Sequence, residues 1–336
     1  MPTLDFEIEC KEIHESWIRP PEQLNQLVRS LARRKRHERQ QIRETYKGIY
    51  GEDLVSRLQH KADGNDADQI TTGISPNLCA ALSLWMINQH ERDAIFIQEA
   101  LHNDQQGRHG KKYNALVEIF ASRKSSQILL IKQAYHTKFR RQLDQDIINI
   151  ELPHPHQKIV VALVASHKAH HADVNQDIAK SDARRLFETG RERSSSGIQE
   201  AVVLELFSKR SIPQLKLTFS CYKHIYGHDY KKSLKSVSSG EFENALKMVV
   251  QCVHNPPNYF AKILHASIKG LTSSSTSDDK GALVRVMVSR AEVDMDEIQR
   301  MFKKKHGVEL RDAIISSVTG DNCYTDFLVA LASKSK

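Results

Sequence analysis

An arginine, an aromatic ring twelve residues later and a large side chain eight residues beyond that recur four times in one phase along this chain. The sets are Arg34, Tyr46, Leu54; Arg123, Tyr135, Leu143; Arg210, Tyr222, Tyr230; and Arg290, Phe302, Leu310. From arginine to arginine, and equally from ring to ring, the intervals are 89, 87 and 80 residues. Two residue types that stay locked while the spacing between copies changes are the mark of internal duplication. The chain is therefore four copies of one unit, and function has to be read copy by copy.

Further columns fix the register. Ile42, Ile131, Thr218 and Ile298 stand four residues before the ring, and Tyr50, Phe139, Tyr226 and His306 four after it. Three copies then place a glycine next, at Gly51, Gly227 and Gly307. Apolar positions three or four apart predict a helix that buries one stripe. A glycine just past the stripe, followed by a new apolar position, predicts a helix stop and restart. One helix should end near the glycine column and the next begin near the Leu54 column. Each copy closes on an apolar helix, over residues 81–86, 159–164, 246–253 and 327–332. Copies two and three reopen with Glu91-Arg92-Asp93-Ala94 and Lys180-Ser181-Asp182-Ala183, whose aspartates suit the positive end of a helix dipole. The fourth reopens after Pro256-Pro257, at Tyr259.

Strand signals are weak and the nine prolines fall mostly at junctions, so the fold class expected is all-α. The copies are bounded as 1–88, 89–166, 167–255 with its leading linker, and 256–336. The longest connector, residues 166–180, is expected to divide the molecule two and two. The column arginine is expected to hold helix ends or carboxylates within its copy through its planar fork.

At 336 residues and 40% hydrophobic content the chain can bury a large core, whereas one copy alone would be marginal, so the copies should pack together. No run approaches the roughly 18 apolar residues of a membrane span, and Asp5, Glu7 and Glu9 stand where a signal peptide would be basic and then apolar. The expectation is a soluble, cytoplasmic protein. Cys10, Cys79, Cys221, Cys252 and Cys323 lie far apart without a C-x-x-C pair, which fits reduced thiols rather than a disulfide frame or zinc site. The net charge of +8 attracts nucleic acid and anionic lipid alike. The repeating rings sit in core-facing columns rather than along a basic groove, which argues against nucleic acid. The basic runs 33–36 and 303–305 are read as solvated helix faces.

Catalytic signals are missing. No Ser, His and Asp set, zinc box or glycine-rich dinucleotide loop appears, so the chain is read as a non-enzyme. Asp278-Asp279-Lys280-Gly281 matches D-x-x-G, but no glycine-rich phosphate loop accompanies it. His167, His170 and His171 with Asp173 have spacing that could share a transition metal, and a solvated linker is the plainer reading. His154 and His156, set between prolines, are read as shaping their turn.

The runs Ala80-Ala81-Leu82-Ser83-Leu84-Trp85-Met86, Tyr259-Phe260-Ala261-Lys262-Ile263-Leu264 and Leu283-Val284-Arg285-Val286-Met287-Val288-Ser289-Arg290-Ala291-Glu292-Val293-Asp294 resemble the annexins, most nearly the plant annexins. The resemblance implies a curved disc of four five-helix repeats that binds acidic phospholipid through calcium on its convex face. In that family a Gly-x-Gly loop between the first two helices offers carbonyls, and an acid about 40 residues on closes the shell. Calcium needs six to eight oxygens, with carboxylate among them.

By that comparison most sites here are degenerate. Copy one has Ser16-Trp17-Ile18-Arg19-Pro20-Pro21 for its loop and Lys61 at the closing position; copy three has Ser195-Ser196-Gly197 and Val237. Copy four begins well with Lys269-Gly270-Leu271, then inserts serines before Asp278 and Asp279, and closes on Ser317. Copy two alone pairs a glycine loop, Gly107-Arg108-His109-Gly110, with an acid, Glu151. Calcium is thus expected to bind weakly, in copies two and four, through Gly107, Gly110, Glu151, Gly270, Asp278 and Asp279. Trp17, Ile18 and Lys269 are the expected lipid contacts, with Trp17 equally suited to packing inside copy one. The expected partners are anionic phospholipid membranes, with cytoskeletal or other proteins besides and no nucleic acid, for a chain monomeric in solution. The alternative is a helical scaffold that binds proteins and no lipid.

Overall fold

The structure is a computed structural model that describes residues 3–16, 21–64, 74–102, 109–149, 155–165, 173–191, 199–235, 241–273 and 277–333. Among the described residues there are twenty helices and no strand, in four successive groups of five. Copy one contributes α1 (Thr3–Ser16), α2 (Pro21–Arg33), α3 (Arg36–Tyr50), α4 (Leu54–Ala62) and α5 (Pro76–Met86). Copy two contributes α6 (Gln89–His102), α7 (His109–Phe120), α8 (Ser125–Phe139), α9 (Leu143–Ile148) and α10 (Pro155–Val164). Copy three contributes α11 (Gln176–Arg191), α12 (Glu200–Lys209), α13 (Ile212–Tyr226), α14 (Tyr230–Lys235) and α15 (Glu241–His254). Copy four contributes α16 (Pro256–Ser273), α17 (Ser277–Arg290), α18 (Met295–His306), α19 (Leu310–Ser317) and α20 (Asn322–Ala332).

The helix boundaries fall where the columns require. The third helix of copies one, three and four stops one residue before Gly51, Gly227 or Gly307, whose φ values are 72°, 74° and 75°. Each of these glycines donates its N–H to the carbonyl four residues back. The left-handed backbone there penalises any side chain, although a Cβ would meet nothing within 4 Å. Conformation alone selects the glycine. Copy two lacks it, and Arg140 takes the same turn at φ 56°, the one non-glycine residue with positive φ among those described. The next helix then opens at Leu54, Leu143, Tyr230 or Leu310, the third member of the opening pattern.

Inside each copy the columns are core. Ile42, Ile131, Thr218 and Ile298 are fully buried, as are the rings of Tyr46, Tyr135, Tyr222 and Phe302. A buried phenol needs a partner for its hydroxyl. Tyr46 meets His14 Nδ1 at 3.0 Å, Tyr135 donates to Asp146 at 2.7 Å, and Tyr222 shares a 2.8 Å bond with Ser233. Phe302 has no such demand.

The aspartates of the openers do a different job from the one their positions suggested. α11 begins at Gln176, so Asp182 lies mid-helix, and both Asp93 and Asp182 are buried. Each takes a two-pronged bond from its column arginine: Arg123 to Asp93 at 2.6 and 3.0 Å, Arg210 to Asp182 at 2.7 and 3.2 Å. Glu9 serves Arg34 likewise, at 2.7 and 3.3 Å. A small residue follows each acid, Cys10, Ala94 and Ala183, all fully buried. In copy four that small residue is Ala261 and the acid's place is taken by Phe260. Arg290 lies over the Phe260 ring at 4.5 Å and finds its carboxylate in Asp294, at 2.8 and 2.5 Å. The fourth copy also opens at Pro256 rather than at Tyr259, since proline fits the first turn, where its missing N–H is no loss.

Two compact units result. One comprises Met1–Gln89 with Phe260–Lys336, and within it α2 packs on α20, α4 on α5, and α17 and α20 on α5. Polar ties between copies one and four reinforce it: Arg29 to Asp326 at 2.9 Å, Cys323 to Asn25 at 2.7 Å, and Ser75 to Asp321. The other comprises His90–Tyr259, where α11 packs on α13, α10 on α12 and α15, and α7 on α15. The connector after residue 165 therefore joins two copies inside one unit instead of dividing the molecule. The apolar closing helix α10 packs against the copy that follows, and packing outweighs linker length. All five cysteines are buried and free, and burial with Glu9 and Glu7 nearby pushes the Cys10 thiol up to about 12. No described helix is long and apolar enough to cross a membrane.

Candidate functional site

The expected loop residues divide into those the structure places and those outside the described residues. Trp17, Ile18, Gly107, Glu151 and Val237 lie outside, as do Ser195 to Gly197 and the histidines of 166–172. Lys61 sits in the last turn of α4, half-buried. Gly110 falls in the first turn of α7, Asp278 and Asp279 in the first turn of α17, and Lys269 with Gly270 in the last turns of α16. Ser317 ends α19. His156, expected to shape a turn, is instead buried in the first turn of α10 and stacks on Tyr113 at 5.6 Å.

Copy four is where distant expectations meet. A cleft of about 370 Å³ is lined by Lys269, His265 and Ile268 of α16, Phe302 of α18, Val308, and Asp312, Ser316 and Ser317 of α19. Lys269 and Ser317, 48 residues apart in sequence and expected as first-loop and closing positions of copy four, thus line one cleft. Their chemistry is poor for a divalent cation. Ser317 offers a hydroxyl, Ser316 turns its own hydroxyl back to the Ala313 carbonyl at 3.1 Å, and Lys269 brings an exposed ammonium. Asp312 is the single carboxylate in the lining. Among the described residues no three His, Cys, Asp or Glu side chains converge as a metal site. A helix leaves its last four carbonyls without partners inside the helix, and α16 ends beside this cleft, so backbone oxygen is what this end has to offer.

Beneath the cleft lies a contact the sequence reading did not find. His265 and His306 stack with ring centroids 3.7 Å apart and planes 3° from parallel. The same slot holds His14 on Tyr50 in copy one, at 3.9 Å and 4°, and Phe187 on Tyr226 in copy three, at 3.9 Å and 7°. One member of each pair belongs to the column after the ring. The other stands four residues beyond the small buried column, at His14, Gln98, Phe187 and His265, and that spacing was the available signal. A second unforeseen feature is Arg39, buried, stacked over Trp85 at 3.8 Å and forked to Glu292 at 2.8 and 3.0 Å. It ties copy one to copy four, and only the contact across 253 residues reveals it.

Comparison with known proteins agrees with the fold. The family profile described as Annexin matches residues 99–163, 190–249 and 259–331, more than half of the chain. Annexin A3 of Homo sapiens is 32% identical over 295 residues, which is 88% of this chain and 84% of that protein. Annexin A13 of Homo sapiens is 30% identical over 305 residues, 91% and 88% of the two chains. A solved structure titled annexin III superposes with a TM-score of 0.80 at 29% identity, covering 98% of this chain and 94% of that one. Calcium-bound annexin (Sm)1, at 21% identity and a TM-score of 0.76, shares the fold.

Proposed function

Because the chain belongs to the annexin family, a family of calcium-dependent phospholipid-binding proteins, we propose that it docks peripherally on acidic phospholipid membranes with calcium as a weak and incomplete aid. The observation that supports this reading is the cleft lined by both Lys269 and Ser317, which we read as the family's meeting point of loop and closing position with serine in place of the carboxylate. Calcium that finds a hydroxyl where it needs a charged bidentate ligand binds in the millimolar range of weak modules. Copies two and four are assigned what calcium binding there is. In copy two it falls to Gly107, Gly110 and Glu151, and in copy four to Gly270 with Asp278 and Asp279. Copies one and three, closing on Lys61 and Val237, are assigned none.

Attraction to lipid then rests on charge and on loop side chains. The net charge of +8 and Lys269 at the cleft face anionic headgroups, with each basic side chain near the surface worth about 1 kcal/mol and screened by salt. Trp17 and Ile18 are assigned to the lipid boundary. The action is binding rather than catalysis, exerted from the cytoplasm by a chain monomeric in solution, with cytoskeletal or other proteins as further partners. The repeats carry the bounds 1–88, 89–166, 167–255 and 256–336.

Co-sedimentation of the full chain with phosphatidylserine and with phosphatidylcholine vesicles, each with millimolar calcium and with chelator, tests the reading. Preference for phosphatidylserine that survives chelator and weakens with salt is expected. Ser317→Glu should make binding more calcium-dependent, and Trp17→Ala should weaken it in both conditions. Equal, negligible binding to both lipids would replace this reading with the helical scaffold.

A further inference from the structure

The slot between the first and third helices of a copy is filled by a face-to-face ring pair in three copies, and the pairs differ in what acid does to them. In copy three, Phe187 on Tyr226 has nothing to protonate. In copy one, His14 can take a proton, but its Nδ1 is held at 3.0 Å from the Tyr46 hydroxyl, with Glu15, Glu52 and Arg57 close by. In copy four both rings are imidazoles, 3.7 Å apart, so both members of the pair can take a proton.

Basic side chains stand near the copy-four pair. α16 brings Lys262 and Lys269 besides His265, and α18 brings Lys305 besides His306. Lys303 is engaged by Glu309, and Asp294 by Arg290. Among the described residues that line the cleft, the one carboxylate is the exposed Asp312 of α19. His306 Nε2 is buried and has no hydrogen-bond partner among the described residues. Burial first, then His265 and Lys305, hold the His306 imidazole below its ordinary value, and Lys305 is itself lowered by burial and by Lys262. His265 lines the cleft, so water and protons reach the pair from its open side.

We propose that the stacked His265–His306 pair is an acid-released latch between α16 and α18. Neutral, the rings stack as any two aromatic rings do and fasten the end of α16 that carries Lys269. Protonated, they place like charges in contact beside Lys305, whose ammonium already disfavours a proton on His306. The rings part, the cleft widens, and Lys269 moves away from Ser317. The proton sign is fixed by the direction of the shift. His306 binds its proton less readily in the folded chain than in the unfolded one, so the fastening is complete above the ordinary histidine value near 6.5 and is lost as pH falls below it.

Hydrogen exchange read by mass spectrometry on the full chain at pH 7.5 and 5.5, corrected for intrinsic rates, tests the latch. Amides of α16 and α18 should exchange about tenfold faster at the lower pH, while those of α11 and α13, which hold the Phe187–Tyr226 pair, should change less than about threefold. The double variant His265→Phe with His306→Tyr installs the rings of copy three and should abolish the pH response of α16 and α18. His306→Tyr alone installs the kind of pair found in copy one and should reduce the response by about half, which covers the case in which the double variant fails to fold. Equal acceleration in copies three and four, no acceleration in copy four, or a response that persists in the folded variants would overturn the proposal.

Discussion

Copies two and four hold the same arginine in opposite ways. In copy two, Arg123 reaches 30 residues back to Asp93, and both side chains are almost wholly buried, so the ion pair pins the first helix of the copy to the turn between its second and third. In copy four that acid has become Phe260, and Arg290 closes on Asp294 only four residues away, keeping its guanidinium over the ring. The first arrangement is a tie between helices. The second satisfies the charge locally and leaves the first helix to be fastened by ring contacts. One duplicated position can thus keep its residue and change its mechanical role.

The sharpest way to break this comparison is to remove each acid in turn. Asp93→Ala leaves a buried guanidinium without its partner and should cost about 3–5 kcal/mol in urea denaturation. Asp294→Ala should cost less, about 1–3 kcal/mol, because the ring beneath Arg290 remains. Equal losses would show that both pairs do the same work. Phe260→Asp in the Asp294→Ala background rebuilds the copy-two arrangement in copy four and should recover about 1–2 kcal/mol of the loss; no recovery would mean that the helices are too far apart for the tie.

Smaller effects follow from the helix stops. Arg140 endures a left-handed turn that glycine occupies in the other copies, so Arg140→Gly should stabilise copy two by about 0.5–1 kcal/mol, and Gly51→Ala should destabilise copy one by about as much. The smallest effect concerns acid. Burial, then Arg57, holds His14 below its ordinary value against the opposing pull of Glu52 and Glu15. Its contribution is complete above about pH 6.5 and falls away below it. His14→Phe should therefore flatten the decline of Tm between pH 7 and 5 slightly, and a steeper decline would contradict that sign.

These contrasts also show what the sequence disclosed. The four copies, the helix stops at Gly51, Gly227 and Gly307, the buried rings and the arginine fork could all be read from spacing, because helical periodicity and left-handed backbone are local demands. Asp182 was misread as a helix opener because a carboxylate beside a presumed start looks the same whether it faces the dipole or a guanidinium 28 residues on. The pairing of copies one and four depends on contacts such as Arg39 with Glu292, which no local pattern encodes. At the candidate site, the register alone singled out Lys269 and Ser317, which the structure sets in one cleft. The stacked imidazoles beneath it were half legible: His306 belonged to a recognised column, and His265 to one that went unnoticed.

The pairing of α2 with α20 has a consequence for how the chain comes off the ribosome. Copies two and three can complete their shared unit while synthesis is still under way. Copy one is made before the other three yet lacks its mate until α20 has been made, so the face of α2 that meets α20, with Asn25 and Arg29, waits uncovered meanwhile. The earliest made of the four copies is then among the last to become native, and chaperone demand should centre on it.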